Sequence, residues 1–237
     1  MPERVGVMGG TFDPVHVGHL RVAEEAVEAL DLDMLLFIPA AVPPHKLGKS
    51  ILAFEHRWRM LRLATDEHPR FAVSDLEQRL PGKSYTVVTL RKLQEEYGGK
   101  AELFFIVGMD AFFELNTWWH FNELFELAHM VVLRRRGYDE SEVNGFLAQR
   151  VSAHYTCTGD NACFRHPHLL PVHCLNNTRL DISSTRIRQL VKEGRSIRYL
   201  VVPEVMRYIC SEQLYRGEDL CETRKMPVCK KRGLPAG

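Results

Sequence analysis

Residues 9–19 read Gly-Gly-Thr-Phe-Asp-Pro-Val-His-Val-Gly-His, and the segments on either side of them have different periods. Residues 5–8 form a short apolar run that reads as a buried strand. After the motif, Leu20, Ala23, Val27 and Leu30 recur at helical spacing across residues 20–30. The chain must therefore pass from strand to helix through a tight turn, which is how an α/β sheet begins. Gly9 and Gly10 let a backbone approach a ligand closely, and Asp13-Pro14 makes an extended, rigid corner. His16 and His19 fall three residues apart at the mouth of the helix, on one face. Free N–H groups at such a helix start favour phosphate, and two imidazoles there can donate hydrogen bonds to its oxygens.

The alternation continues beyond the motif. Met34–Pro39 reads as a second strand, followed by the stiff loop Pro43-Pro44-His45-Lys46, and Phe54, Trp58, Leu61 and Thr65 mark a helix face. Residues 71–76, 103–107 and 130–133 read as further strands, with a helix over 87–97 and closing helices over 186–191 and 205–214. Strands separated by helices predict right-handed βαβ units: a Rossmann-like open, mainly parallel sheet with helices on both faces. Ligands of such sheets sit beyond the carboxyl ends of the strands. There the chain carries Gly-Gly-Thr, Pro-Pro-His-Lys and Gly108-Met109-Asp110. Residues 153–177, rich in Cys, His, Pro and Asn, show no period and read as an insertion. A single domain over 1–215 is expected, with 216–237 a mobile tail of few apolar anchors.

Composition narrows the classes. The 237 residues carry a net charge of +1, which gives no argument for binding nucleic acid or an anionic membrane. The first strand follows Met-Pro-Glu-Arg without a leader, and no apolar stretch is long enough to span a bilayer, which predicts a cytoplasmic protein. Six cysteines are then expected to be reduced or metal-bound rather than paired. A homo-oligomer stays open.

Asp181-Ile182-Ser183-Ser184-Thr185-Arg186-Ile187-Arg188 is the second strong motif. Its hydroxyls fit a helix N-cap, and equally a phosphate cradle with Arg188 one turn inside. Lys46 is restrained by two prolines, Ser84-Tyr85-Thr86 opens a helix, and Trp118-Trp119 offers either core packing or a stacking face for an electron-poor ring.

Taken together, these segments resemble the nucleotidylyltransferase superfamily with its T/H-x-G-H signature, in the form found in bacterial nicotinate mononucleotide adenylyltransferases. The likeness runs over five segments between residues 9 and 188. It implies adenylyl transfer from ATP to nicotinate mononucleotide, giving deamido-NAD and pyrophosphate, with Mg²⁺ accompanying ATP. By that resemblance His16, His19, Lys46 and Arg188 are catalytic. Gly9, Gly10, Thr11, Phe12, His16, His19, Gly108, Asp110, Ile182, Ser183, Ser184, Thr185 and Arg188 bind ATP. Thr11, Lys46, Ser84, Tyr85, Thr86, Asp110, Trp118 and Trp119 bind the mononucleotide. One local departure is Trp119, where many members have tyrosine; the aromatic character is kept.

Rival readings keep the chemistry and change the acceptor, to nicotinamide mononucleotide or phosphopantetheine, or make the chain a nucleotide-sensing or metal-binding regulator without catalysis. A Rossmann oxidoreductase is disfavoured, because Gly9-Gly10-Thr11 does not continue as G-x-G-x-x-G. Cys157, Cys163, His166 and His168, with His173 and Cys174 beyond, are candidate ligands of a structural zinc. Their spacing matches no standard finger, and a metal-free loop is the main expectation. Cys221, Cys229 and Lys230-Lys231-Arg232 read as tail residues.

Overall fold

The computed structural model describes residues 2–43, 51–134, 140–158 and 163–216. Pro44, His45, Lys46, the pair Cys221 and Cys229, and residues 217–237 lie outside the described residues. The strands are β1 (Glu3–Gly10), β2 (Met34–Pro39), β3 (Phe71–Val73), β4 (Ala101–Gly108), β5 (His129–Leu133), β6 (Thr156–Thr158), β7 (Cys163–Arg165) and β8 (Val172–Leu175). The helices are α1 (Val17–Ala29), α2 (Phe54–Thr65), α3 (Leu76–Arg79), α4 (Thr86–Tyr97), α5 (Met109–Phe113), α6 (Leu124–Leu127), α7 (Glu140–Phe146), α8 (Ser184–Lys192) and α9 (Pro203–Ser211).

One sheet runs in the order β3-β2-β1-β4-β5-β8-β7-β6. The first six are parallel, with Val5 opposite both Met34 and Leu103, while β7 and β6 add an antiparallel edge. Strands covered on both faces need apolar side chains at every position, which is why the central ones read as continuous runs. Val5, Val7, Leu103, Phe105, Met130 and Val132 face Val87, Leu90 and Leu93 of α4. On the other face Leu35, Phe37, Phe104, Ile106 and Val131 meet Ala23, Ala26 and Val27 of α1, Met60 and Leu61 of α2, and Ile187 of α8. The strand order reverses between β1 and β4, so a crevice opens beyond their carboxyl ends.

Two expectations about the elements change. The strand expected over 71–76 ends at Val73, because the Ser74 hydroxyl accepts the Leu76 N–H (3.2 Å) and turns the chain into α3. Residues 153–177 are not one aperiodic insertion. Val172–Leu175 is itself the parallel neighbour of β5, and the insertion proper is the β6–β7 hairpin that pairs onto it. Short strands of three or four residues leave too little sequence for a period to show.

Candidate active site

Between β1 and α1 the chain makes a turn held from three directions. Phe12 adopts φ +48°, a left-handed conformation that strains a bulky side chain, and carries its ring back over Gly10. A Cβ on Gly10 would stand 2.9 Å from Phe12 Cζ, so this glycine makes room for an internal ring. The Asp13-Pro14 peptide is cis. Arg57 of α2, 2% exposed, donates from Nη1 to the Thr11 carbonyl and from Nε to the Leu52 carbonyl, both at 2.9 Å. Tyr215 donates its hydroxyl to Asp13 Oδ1 at 2.7 Å. From α8, Arg188 Nη1 donates to the Asp13 carbonyl (2.6 Å) and the Ser184 hydroxyl to the Pro14 carbonyl (2.8 Å). The two motifs of the sequence are thus bonded to each other.

His16 is the N-cap of α1, in extended conformation, and His19 stands three residues on. Their rings stack with centroids 3.6 Å apart. The His16 N–H donates to His19 Nδ1 (3.2 Å), so neutral His19 carries its proton on Nε2. His16 is 7% exposed, and burial pushes its pKa down to about 4. It is therefore a neutral imidazole near neutral pH, with Nδ1 buried and without a hydrogen-bond partner. A Cβ on Gly18 would come within 3.0 Å of that Nδ1, which explains the glycine between the histidines.

A cavity of about 680 Å³ opens over these groups. It is lined by Thr11, Phe12, Asp13, His16, His19, Gly108, Asp110, Ile182, Ser183, Ser184, Thr185 and Arg188. The start of α1 and the start of α8 both open on it, and neither helix has an acidic residue in its first turn. Converging helix starts of this kind attract anions. Ser183 does cap α8, accepting the Arg186 N–H at 3.2 Å, and the capped start still faces the cavity.

A second cavity, about 600 Å³, lies across Thr11 and is lined by Gly9, Gly10, Thr11, Glu77, Ser84, Tyr85, Thr86, Phe105, Trp118 and Trp119. Tyr85 and Trp119 face each other with ring centroids 5.0 Å apart, and Trp119 is 46% exposed. Trp118 packs against the core with its ring 6.3 Å from that of Phe105, so packing and cavity lining coexist in one side chain. Thr86 starts α4, whose first turn also lacks an acidic residue. Gly9 and Gly10 line this cavity and also a third, of about 270 Å³, that they share with His16 and His19, whereas Asp110 lines the first. Lys46 lies outside the described residues.

The sequence matches the family described as cytidylyltransferase-like over residues 7–190. A Geobacter sulfurreducens protein named "probable nicotinate-nucleotide adenylyltransferase" is 44% identical over 212 residues, covering 90% of this chain and 98% of its own length. A Syntrophotalea carbinolica protein of the same name is 45% identical over 217 residues, covering 91% and 99%. The chain belongs to the nicotinate-nucleotide adenylyltransferase family. Among solved structures, a Plasmodium falciparum nicotinic acid mononucleotide adenylyltransferase complexed with NaAD superposes with a TM-score of 0.69, at 18% identity and over 90% of this chain and 97% of that one. That likeness carries the family's fold.

The structure also adds residues that the sequence reading left out. Arg57 shares the apolar face of α2 with Phe54 and Leu61, and a charged residue on such a face was a readable signal of a buried role. Glu77 and Tyr215 gave no such sign. The zinc candidates are not brought together. Thr158 pairs with Cys163 across the hairpin, so the strand pleat sends Cys157 to the opposite face. His166 Nδ1 accepts the His168 and Leu169 N–H groups at 3.0 Å, and its Nε2 is 2.9 Å from the Ser152 hydroxyl. Among the described residues no group of three or more metal-ligating side chains could hold an ion, and no helix is long and apolar enough to cross a membrane.

Proposed function

We propose that this is a cytoplasmic nicotinate-nucleotide adenylyltransferase, joining the adenylyl group of ATP to nicotinate mononucleotide and releasing pyrophosphate. The observation that carries the reading is the pair of cavities meeting at Thr11. One is built from helix starts, histidines and Arg188, the other from aromatic faces and the start of α4. None of the four described cysteines is in a disulfide, which fits a reducing compartment.

The mononucleotide phosphate is itself the nucleophile. Its oxygen attacks the α-phosphorus of ATP in line, the α–β bridging bond breaks, and pyrophosphate takes the electron pair. The protein aligns the reactants and stabilises charge. Neutral His16 acts here as a hydrogen-bonding group rather than a cation, and His19 presents Nε2–H. Arg188 and the N–H groups of α8 take the β- and γ-phosphates. Lys46 is proposed to face the reacting phosphates. Asp13 is held by Tyr215 and Arg188, and Asp110 is the second carboxylate lining this cavity. That donor set fits Mg²⁺ held mainly by phosphate oxygens and water, where it neutralises the charge of the triphosphate.

In the second cavity the pyridine ring is proposed to stack on the aromatic wall that Tyr85 and Trp119 form together, with its carboxylate at the start of α4. Purified protein is given ATP and Mg²⁺ with nicotinate or nicotinamide mononucleotide, and dinucleotide and pyrophosphate are followed. Deamido-NAD and pyrophosphate are expected in equal amounts, with the acid giving the higher kcat/KM. Formation of neither dinucleotide overturns the reading, and a preference for the amide reverses the subclass.

A further inference from the structure

Glu77 is a buried carboxylate in a cavity assigned to a substrate that is itself a carboxylate. It sits on α3, 9% exposed, and lines the second cavity beside Ser84, Tyr85 and Thr86. Oε1 accepts the Thr89 hydroxyl at 2.8 Å, tying α3 to α4. Oε2 is buried and makes no well-formed hydrogen bond, with the Ser84 hydroxyl and the Ala41 N–H close to the carboxylate. Arg57 is the cation whose field reaches it, but that guanidinium already donates to the carbonyls of Leu52 and Thr11. Burial raises the pKa of Glu77, while the Ser84 hydroxyl, Thr89, the Ala41 N–H and Arg57 pull it back. A buried charge without a dedicated counter-ion costs stability.

We infer that Glu77 sets the balance between the acid and the amide form of the pyridine mononucleotide. The inference rests on the proposed function and deepens it. Both forms carry a positive pyridinium ring; only the acid adds a carboxylate. An ionised Glu77 on the cavity wall attracts the ring of either form and repels the carboxylate of one. Its charge therefore favours the amide relative to the acid and limits an acid preference generated at the start of α4. The effect is strong for a buried charge, because little water screens it.

Glu77→Gln removes the charge and keeps an oxygen for the Thr89 hydroxyl. At mildly alkaline pH the ratio of kcat/KM for acid over amide is expected to rise about tenfold, equivalent to ~1.4 kcal/mol. The change should lie in the KM of the mononucleotides, with the KM for ATP unchanged. Thr89→Val keeps the charge and removes the hydrogen bond, so it should affect both mononucleotides alike. If Glu77→Gln does not fold, Glu77→Met removes the same charge with similar length and reads the same ratio. An unchanged or lowered ratio in a folded variant overturns the inference while the wild type still makes deamido-NAD. A wild type that makes neither dinucleotide overturns the proposed function, and this inference with it.

Discussion

The Arg188 guanidinium donates to the Asp13 carbonyl at 2.6 Å, bonding the second motif of the chain to the first across 175 positions of sequence. Asp13 also takes the Tyr215 hydroxyl on its carboxylate, so residues 11–14 are fixed by α8 and by the chain that follows α9. The two bonds predict different consequences. Arg188→Ala removes a charge proposed to face the phosphates as well as a bond, and should lower kcat by about a hundredfold or more. Tyr215→Phe leaves a buried carboxylate oxygen short of a donor and should cost roughly 1–3 kcal/mol of stability with kcat nearly intact. Urea midpoints and steady-state rates on both variants check this. A Tyr215→Phe enzyme that is stable but inactive would show that Asp13 acts in the chemistry.

His19→Ala should keep the fold and reduce turnover by roughly 10²-fold, a usual loss for one group that stabilises transition-state charge. It also removes the acceptor of the His16 N–H, so a small loss of stability, on the order of 1 kcal/mol, accompanies it. Circular dichroism with single-turnover rates separates the two effects. A folded variant with wild-type turnover ends the catalytic assignment.

Much of this was legible in the sequence because the informative elements are continuous and local. The motif at 9–19 prescribes its turn, and α1 follows from the spacing of Ala23 and Val27. The meeting of Thr11 with Ser84 and Trp118 was implied by the resemblance alone, since no local pattern places residues so far apart on one cavity wall. At Gly10 the sequence shows an absent side chain, and the structure adds that the Phe12 ring occupies the space a Cβ would take. β8 was absorbed into the supposed insertion because its four residues alternate between buried and half-buried and include His173 and Cys174. Glu77 could not be read at all. On a four-residue helix, burial depends on what packs over it rather than on any period of its own.

The aromatic pair should divide its labour. Trp119→Ala removes an exposed ring that faces Tyr85, so the KM for the mononucleotide should rise roughly three- to tenfold, as expected for one stacking contact. ATP binding and stability should hardly move. Trp118→Ala removes a ring packed on the core beside Phe105, and should lower stability by about 2–4 kcal/mol as well as raising that KM. Thermal melts with KM measured for each substrate separately test the division. Equal rises in both KM values for Trp119→Ala would remove the ring from the pyridine site.

Three histidines, His16 buried and His129 and His173 half-buried, set how the fold answers to acid. Burial pushes His16, His129 and His173 from the ordinary value of 6.5 down to about 4. His129 Nδ1 and His173 Nε2 lie 3.3 Å apart on neighbouring strands, and the fields of Arg4 and Arg165 add to the effect there. The folded pKa values lie below the unfolded ones. Above pH ~6.5 both states are neutral at these sites and no stability depends on them. As pH falls towards about 4 the unfolded chain takes up protons that the folded protein cannot, so stability is lost across that window. His173→Gln keeps a polar side chain and removes one titrating group. The stability gap between wild type and variant should therefore shift in the variant's favour as pH drops, by at most about 1.4 kcal/mol per pH unit. Urea unfolding of both proteins at several pH values between about 7 and 4.5 measures it, and a gap that stays constant with pH would mean that His173 titrates normally in the folded protein.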